Sequence, residues 1–290
     1  MVNATHLRWR LEVPDPQEEA LCAWLEGRGS SAFYREADPP RACYAYFPPD
    51  LVAPEPGGLD AFPGVKLLEI ETFADEDWLA KSREGFGAFD VGTRFHVRPL
   101  WDETPGPLGR LDLVVNPGLA FGTGGHETTR LCMALLEELA AAGRLTGPIL
   151  DIGAGTGILS LAAHLLGGRE ITAFDLDPDC GPAMDELIEL NAHLLKGAQP
   201  YAAFVGTLDH PRVEGPYAGL LANILLMTIQ ELLPRMAEIA APGAWLVASG
   251  ILAERTDEAL VSLATHGFRP EKVLTEGEWI AVLAVREPER

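Results

Sequence analysis

Residues 149–159 read ILDIGAGTGIL, and no other stretch limits the possible folds so sharply. An apolar run passes through Asp151, meets Gly153, Gly155 and Gly157, and gives way to a helical pattern from Ile158. A strand, a tight glycine turn and a helix start let a nucleotide-like ligand approach bare backbone, because glycine takes positive φ and carries no Cβ. The spacing separates ligand classes. A dinucleotide fingerprint requires G-x-G-x-x-G, whereas the sixth position here is Ile158 and the pattern is G-x-G-x-G.

A second acidic signal follows. Residues 171–177, ITAFDLD, read as the next strand, with Asp175 placed 24 residues after Asp151. Doubly wound folds put a carboxylate at the end of the second strand, where it accepts both hydroxyls of a ribose. Asp177, ahead of Pro178, suits a turn or a helix cap instead.

A chain of 290 residues exceeds the usual single-domain size and has room for two unequal domains. The start, MVNATHLRWRLEV, lacks the apolar core of a secretion signal, and no apolar run reaches membrane-spanning length. Cys22, Cys43, Cys132 and Cys180 form no CxxC pair, so buried thiols in a reducing cytoplasm are expected, and no metal site. The balance of 43 acidic against 22 basic residues, a formal charge of −21, repels nucleic-acid phosphates and favours cationic partners.

The first 72 residues read as a small α+β unit with no visible chemistry: strands at 6–13, 32–35, 41–47 and 65–72, a helix at 17–28, and a surface loop at 48–64. Residues 73–90 read as a linker, a short charged helix leading into a glycine hinge. From residue 91 to 290 the rhythm changes. Short strands at 95–100 and 110–115 precede a series in which strands at 148–151, 170–175, 201–204, 219–222 and 244–249 alternate with helices near 127–142, 158–166, 179–195, 227–240 and 254–266. Two further strands, 268–274 and 279–285, close the chain. The expected class is α/β: a Rossmann-like, doubly wound, mostly parallel sheet with a C-terminal antiparallel hairpin, plus the small N-terminal domain.

Residues 116–130, NPGLAFGTGGHETTR, hold Gly118, Gly122, Gly124 and Gly125 close together, so this segment can present backbone N–H groups to a ligand. Thr128 and Thr129 open an amphipathic helix, where a threonine cap is the plain alternative. Taken in order, this segment, DIGAGTGIL, FDLDP, Ala222-Asn223-Ile224-Leu225 and Ser249-Gly250-Ile251-Leu252-Ala253-Glu254 closely resemble the ribosomal protein L11 methyltransferase family. Asp77-Trp78 and Gly277-Glu278-Trp279 also look like family positions, whereas the first 72 residues agree only in size and pattern.

The resemblance implies S-adenosylmethionine (SAM) as cofactor, held by Thr129, Gly153, Gly155, Asp175 and Asn223, with Phe121, Gly122 and Thr123 covering its methionine end. It implies an N-terminal domain that recognises the substrate. The partner would be ribosomal protein L11, free or on the large subunit, methylated on lysine side chains or its α-amine by a monomeric enzyme that touches neither nucleic acid nor membrane. Relatives usually have Asp, Thr and Cys where Asn116, Gly125 and Ala154 stand. Many SAM enzymes also place a carboxylate after the third strand for the adenine amino group. Here that stretch is Phe204-Val205-Gly206-Thr207-Leu208-Asp209, and Asp209 falls late, leaving Thr207 or backbone.

Asn223 ends a buried strand, where ligands of open α/β sheets sit. Its carbonyl can accept the N–H of a neutral amine and aim the lone pair at a methyl carbon, whereas a carboxylate would hold the unreactive ammonium. The Asn-Pro-Pro-aromatic segment of base methyltransferases is absent, since Ile224 and Leu225 follow. His126 is not assigned as a base. Another protein or a small amine as substrate, or a non-catalytic SAM-binding module, stay open as alternatives.

Overall fold

The computed structural model describes residues 5–30, 32–35, 42–48, 55–74, 87–117 and 125–288. The chain divides into two units, with the division between residues 85 and 86.

In the first unit, strands β1 (Thr5–Glu12), β2 (Ala32–Arg35), β3 (Cys43–Phe47) and β4 (Lys66–Ala74) form an antiparallel sheet in the order β2-β3-β1-β4. Alternation along β1 turns Trp9 and Leu11 into a core shared with Leu21 and Leu25 of helix α1 (Glu18–Glu26) and with Phe47. The stretch expected to be a surface loop contributes to that core. Its described part holds a 3-10 helix, Pro56–Ala61, and Leu59 within it is buried at 6% exposure. Proline and glycine mark irregular backbone but do not prevent a single leucine from turning inward.

The second unit opens with a small sheet of β5 (Phe89–Val91), β6 (Phe95–Pro99) and β7 (Leu111–Val115). Its main sheet comprises β8 (Ile149–Ile152), β9 (Ile171–Asp175), β10 (Ala202–Val205), β11 (Tyr217–Asn223), β12 (Ala240–Leu252), β13 (Phe268–Glu276) and β14 (Trp279–Arg286). The spatial order is β10-β9-β8-β11-β12-β14-β13, parallel except for β14, which runs against both neighbours. This is the expected doubly wound sheet with a closing hairpin. The chain winds outward one way from β8 and the other way from β11, so the switch point lies between these two strands. A ligand crevice belongs at their carboxyl ends.

Helices cover both faces. On one side pack α2 (Glu127–Ala141), α3 (Ile158–Leu165) and α4 (Cys180–Leu190); on the other pack α6 (Leu226–Ile239) and α7 (Thr256–Thr265). β8 is buried at all four positions, as a central parallel strand covered on both faces must be. The expected helix over 179–195 is broken at Asn191, which separates α4 from the single turn α5 (Ala192–Leu195). The Val114 N–H donates to Asn191 Oδ1 at 2.9 Å, and Asn191 Nδ2 donates to the carbonyls of Val114 at 2.7 Å and Leu187 at 2.8 Å. The buried amide thus satisfies the backbone of β7, and that demand outweighs helical continuity. Among the described residues no helix is long and apolar enough to cross a membrane, and no cluster of His, Cys, Asp and Glu could hold a metal ion.

Candidate active site

The turn after β8 lies at the switch point. Gly153, Gly155 and Gly157 have φ of 68°, 55° and 81°, the left-handed region that disfavours side chains. Space is also short. A Cβ at residue 153 would stand 2.5 Å from Ile224 Cγ2, and one at residue 157 would stand 2.5 Å from the Tyr201 hydroxyl oxygen. Beneath the turn, Asp151 is 1% exposed and accepts the Ser160 hydroxyl at 2.6 Å. Burial pushes its carboxyl up to about 6, and the charge of Asp175 adds to the rise.

Asp175 closes β9 beside that turn. Its Oδ2 accepts the Gly155 N–H at 2.8 Å and its Oδ1 accepts the Asp177 N–H at 3.0 Å. Besides these backbone bonds and one from the Cys180 thiol, the carboxylate keeps acceptor capacity for the hydroxyls of a ribose. Asp177 takes the turn role, its Oδ1 accepting the Asp179 N–H at 2.9 Å on the way into α4. The Asp209 side chain is 87% exposed, its Oδ1 lying 3.8 Å from Arg235 Nε.

Asn223 ends β11, next to β8. Its Nδ2 donates to Thr129 Oγ1 at 3.4 Å, and Thr129 is wholly buried in the first turn of α2. The Oδ1 of Asn223 is buried and has no hydrogen-bond partner among the described residues. A buried orphan acceptor costs about 1–3 kcal/mol, which an arriving N–H donor would recover. Asn223 is not the cap of α6, since Leu225 occupies that position.

The start of α2 departs from the threonine-cap reading. His126 is the N-cap, its Nδ1 accepting the Thr128 N–H at 3.3 Å and lying 2.8 Å from the Thr128 hydroxyl. Burial lowers the imidazole pKa, Arg130 adding to that effect and Glu127 opposing it, so the ring is neutral and suited to accept. Arg130 and Glu276, to which sequence alone assigns no role, hold this corner together with Trp279. Arg130 donates to Glu276 Oε1 through Nε at 2.9 Å and Nη2 at 2.6 Å, and through Nη1 to the Gly125 carbonyl. Trp279 meets the His126 ring edge-on, centroids 5.1 Å apart. The tip of the β13–β14 hairpin therefore braces the start of the helix that carries Thr129. Phe121, Gly122 and Thr123 lie outside the described residues.

The site fits SAM on its own terms: a turn with no room for a Cβ at 153 or 157, a strand-end carboxylate with acceptor capacity, and a buried carbonyl without a partner among the described residues. Fold and site define a SAM-dependent methyltransferase of the Rossmann-like class.

Comparison with known proteins narrows this class. Residues 57–287 match the family model of ribosomal protein L11 methyltransferase (PrmA). A ribosomal protein L11 methyltransferase of Synechococcus elongatus is 34% identical over 299 residues, covering 97% of this chain and 98% of its own. One from Citrifermentans bemidjiense is 36% identical over 233 residues, covering 79% of this chain and 73% of its own. The crystal structure of a ribosomal protein L11 methylase from Lactobacillus delbrueckii subsp. bulgaricus superposes with a TM-score of 0.59 at 25% identity, over 70% of this chain and all of that one. The chain belongs to the ribosomal protein L11 methyltransferase family, and SAM is its cofactor.

Proposed function

We propose that the enzyme transfers methyl groups from SAM to amino nitrogens of ribosomal protein L11, on lysine side chains, the N-terminal α-amine or both. The observation that carries this reading is the buried, unpartnered Oδ1 of Asn223 at the switch point. An amide oxygen accepts the N–H of a neutral amine without stabilising the ammonium, and so favours the form that can attack. A lysine is mostly protonated at neutral pH, and removing that proton costs about 4–5 kcal/mol. A dry site beside a sulfonium lowers that cost, since both disfavour a second positive charge.

Bound SAM supplies an electrophilic methyl and a neutral thioether leaving group. The chain supplies position. Thr129 holds the Asn223 amide in place, Asp175 takes the ribose hydroxyls, and the turn from Gly153 to Gly157 admits the ligand to backbone distance. Capture of the protein substrate falls to the N-terminal unit, and the reaction belongs in the cytoplasm. The L11 names of the relatives and the acidic surface, suited to a lysine-rich protein, support this choice.

Mass spectrometry of L11 incubated with the full-length enzyme and SAM tests it. Methyl increments on lysine or N-terminal peptides are expected, and Asn223→Ala should remove them while leaving cofactor binding within about tenfold. Unmodified L11 beside active wild-type protein, or methyl groups on oxygen or carbon, would refute the assignment.

A further inference from the structure

We propose that Gly250 is a positioning residue for methyl transfer: it leaves the space through which the Ile224 backbone passes, and so fixes where the end of β11 holds the Asn223 amide. A Cβ at residue 250 would lie 2.7 Å from the Ile224 carbonyl carbon, 3.1 Å from its nitrogen and closer still to its carbonyl oxygen. These are backbone atoms, which no change of rotamer moves aside. Gly250 also has a φ of 80°, in the left-handed region.

The neighbouring strands explain why a glycine stands there. β12 keeps an unbroken parallel register with β11 from Gly219–Trp245 to Asn223–Ser249, so Ser249 lies directly beside Asn223. On its other edge the register with β14 slips: Ala248 pairs with Val282 and Ile251 with Ile280, which leaves Ser249 and Gly250 against Ala281 alone. This is a bulge with a left-handed glycine, a device that re-aims side chains beside reaction centres. The Ser249 hydroxyl, wholly buried, donates to the Ile280 carbonyl at 2.8 Å and pins the bulge. Beyond Ile224 the chain is fixed again, with Leu226 buried and the Ile229 N–H donating to the Leu225 carbonyl at 3.0 Å.

Among the described residues the Asn223 side chain makes one hydrogen bond, to Thr129, and at 3.4 Å it is a long one. Thr129 therefore sets one end of the amide. The backbone at 223–224, which Gly250 admits against β12, sets the other. A displacement of about 1 Å in a group that aligns reacting atoms costs on the order of 100-fold in rate. The role of Gly250 in transfer rests on Asn223 being the group that receives the amine.

The same strand contains the control. Gly243 has a φ of 82°, and apart from its chain neighbours no described atom lies within 4 Å of where its Cβ would fall. Gly243→Ala and Gly250→Ala thus put alanine into the same left-handed backbone, and only the second meets Ile224. With full-length enzyme, L11 and SAM, Gly250→Ala should lower kcat by about 100-fold, with KM for L11 within about threefold and Kd for S-adenosylhomocysteine within about tenfold. Gly243→Ala should leave all three within about twofold. The Asn223 side-chain amide resonances, identified by their loss in Asn223→Ala, should shift in Gly250→Ala and stay in place in Gly243→Ala, a readout that needs no acceptor. Should Gly250→Ala not fold, Gly250→Asn and Gly243→Asn repeat the comparison, since asparagine tolerates left-handed backbone. Amide resonances that do not move, or a kcat lost in both variants or in neither, would overturn the role of Gly250. Shifted resonances beside L11 that the wild-type enzyme leaves unmodified would refute the choice of L11 alone and uphold the placement of Asn223 by Gly250.

Discussion

Ile224 shows how much a single residue constrains at this site, by its side chain at one glycine and its backbone at another. Its Cγ2 lies 2.5 Å from where a Cβ on Gly153 would fall, and its carbonyl oxygen lies 2.3 Å from where one on Gly250 would fall. Two glycines distant in sequence are therefore required by the same residue, for closeness as well as for positive φ. Gly153→Ala should lower affinity for S-adenosylhomocysteine, combining an αL penalty of about 1–2 kcal/mol with the contact. Adding Ile224→Ala should recover the contact part and leave the backbone part. Calorimetry on the four proteins separates them, and costs that merely sum would show that the contact is not what excludes a side chain. At this scale the sequence was legible in local geometry: the positive-φ turn of Gly153, Gly155 and Gly157, and the strand ends at Asp175 and Asn223. It placed Ile224 in a motif but did not show its contact with Gly153, because an isoleucine after a strand looks like any core residue until its neighbours are in place.

Among the elements, what the sequence hid is long-range. The buried apolar strands β8, β9, β11 and β12 and the amphipathic helices announce themselves through runs and periodicity. Strand β5 is three residues long and exists because β6 pairs with it, and the break at Asn191 exists because β7 needs an amide. The hairpin brace belongs to this group, with Arg130 and Glu276 lying 146 positions apart. The pair is partly exposed, at 24% and 42%, so its stability contribution is about 0–1 kcal/mol. Its consequence is local. Arg130 ties the Gly125 carbonyl, the first turn of α2 and the end of β13 together, one residue from Thr129. Arg130→Lys replaces a planar fork with a point charge that cannot serve these acceptors at their separate directions. It should raise the KM for SAM by about tenfold while Tm falls by less than about 4 °C. A Tm loss with KM unmoved would reduce the brace to ordinary packing.

At the scale of the whole molecule the chain divides into two units, each with a core of its own. Residues 86–290 contain both cores that sandwich the seven-stranded sheet, together with Thr129, Asp175 and Asn223, and the first unit has a core of its own around Trp9 and Phe47. The second unit has the seven-stranded sheet with both strands of its switch point, β8 and β11, in place. A chain of residues 86–290 should therefore fold cooperatively and bind S-adenosylhomocysteine with a Kd within about twofold of the full protein, because each fold depends on its own buried area. If the first unit captures the substrate as proposed, transfer to L11 should fall by at least about 100-fold while the methyl-transfer geometry remains. A free lysine analogue at high concentration provides the control: its slow methylation should be equal in the two proteins. If the shortened protein methylates L11 at the full-length rate, recognition resides in the second unit. The exposed Leu225 and Met227 beside Asn223, at 63% and 53%, would then be the first residues to change.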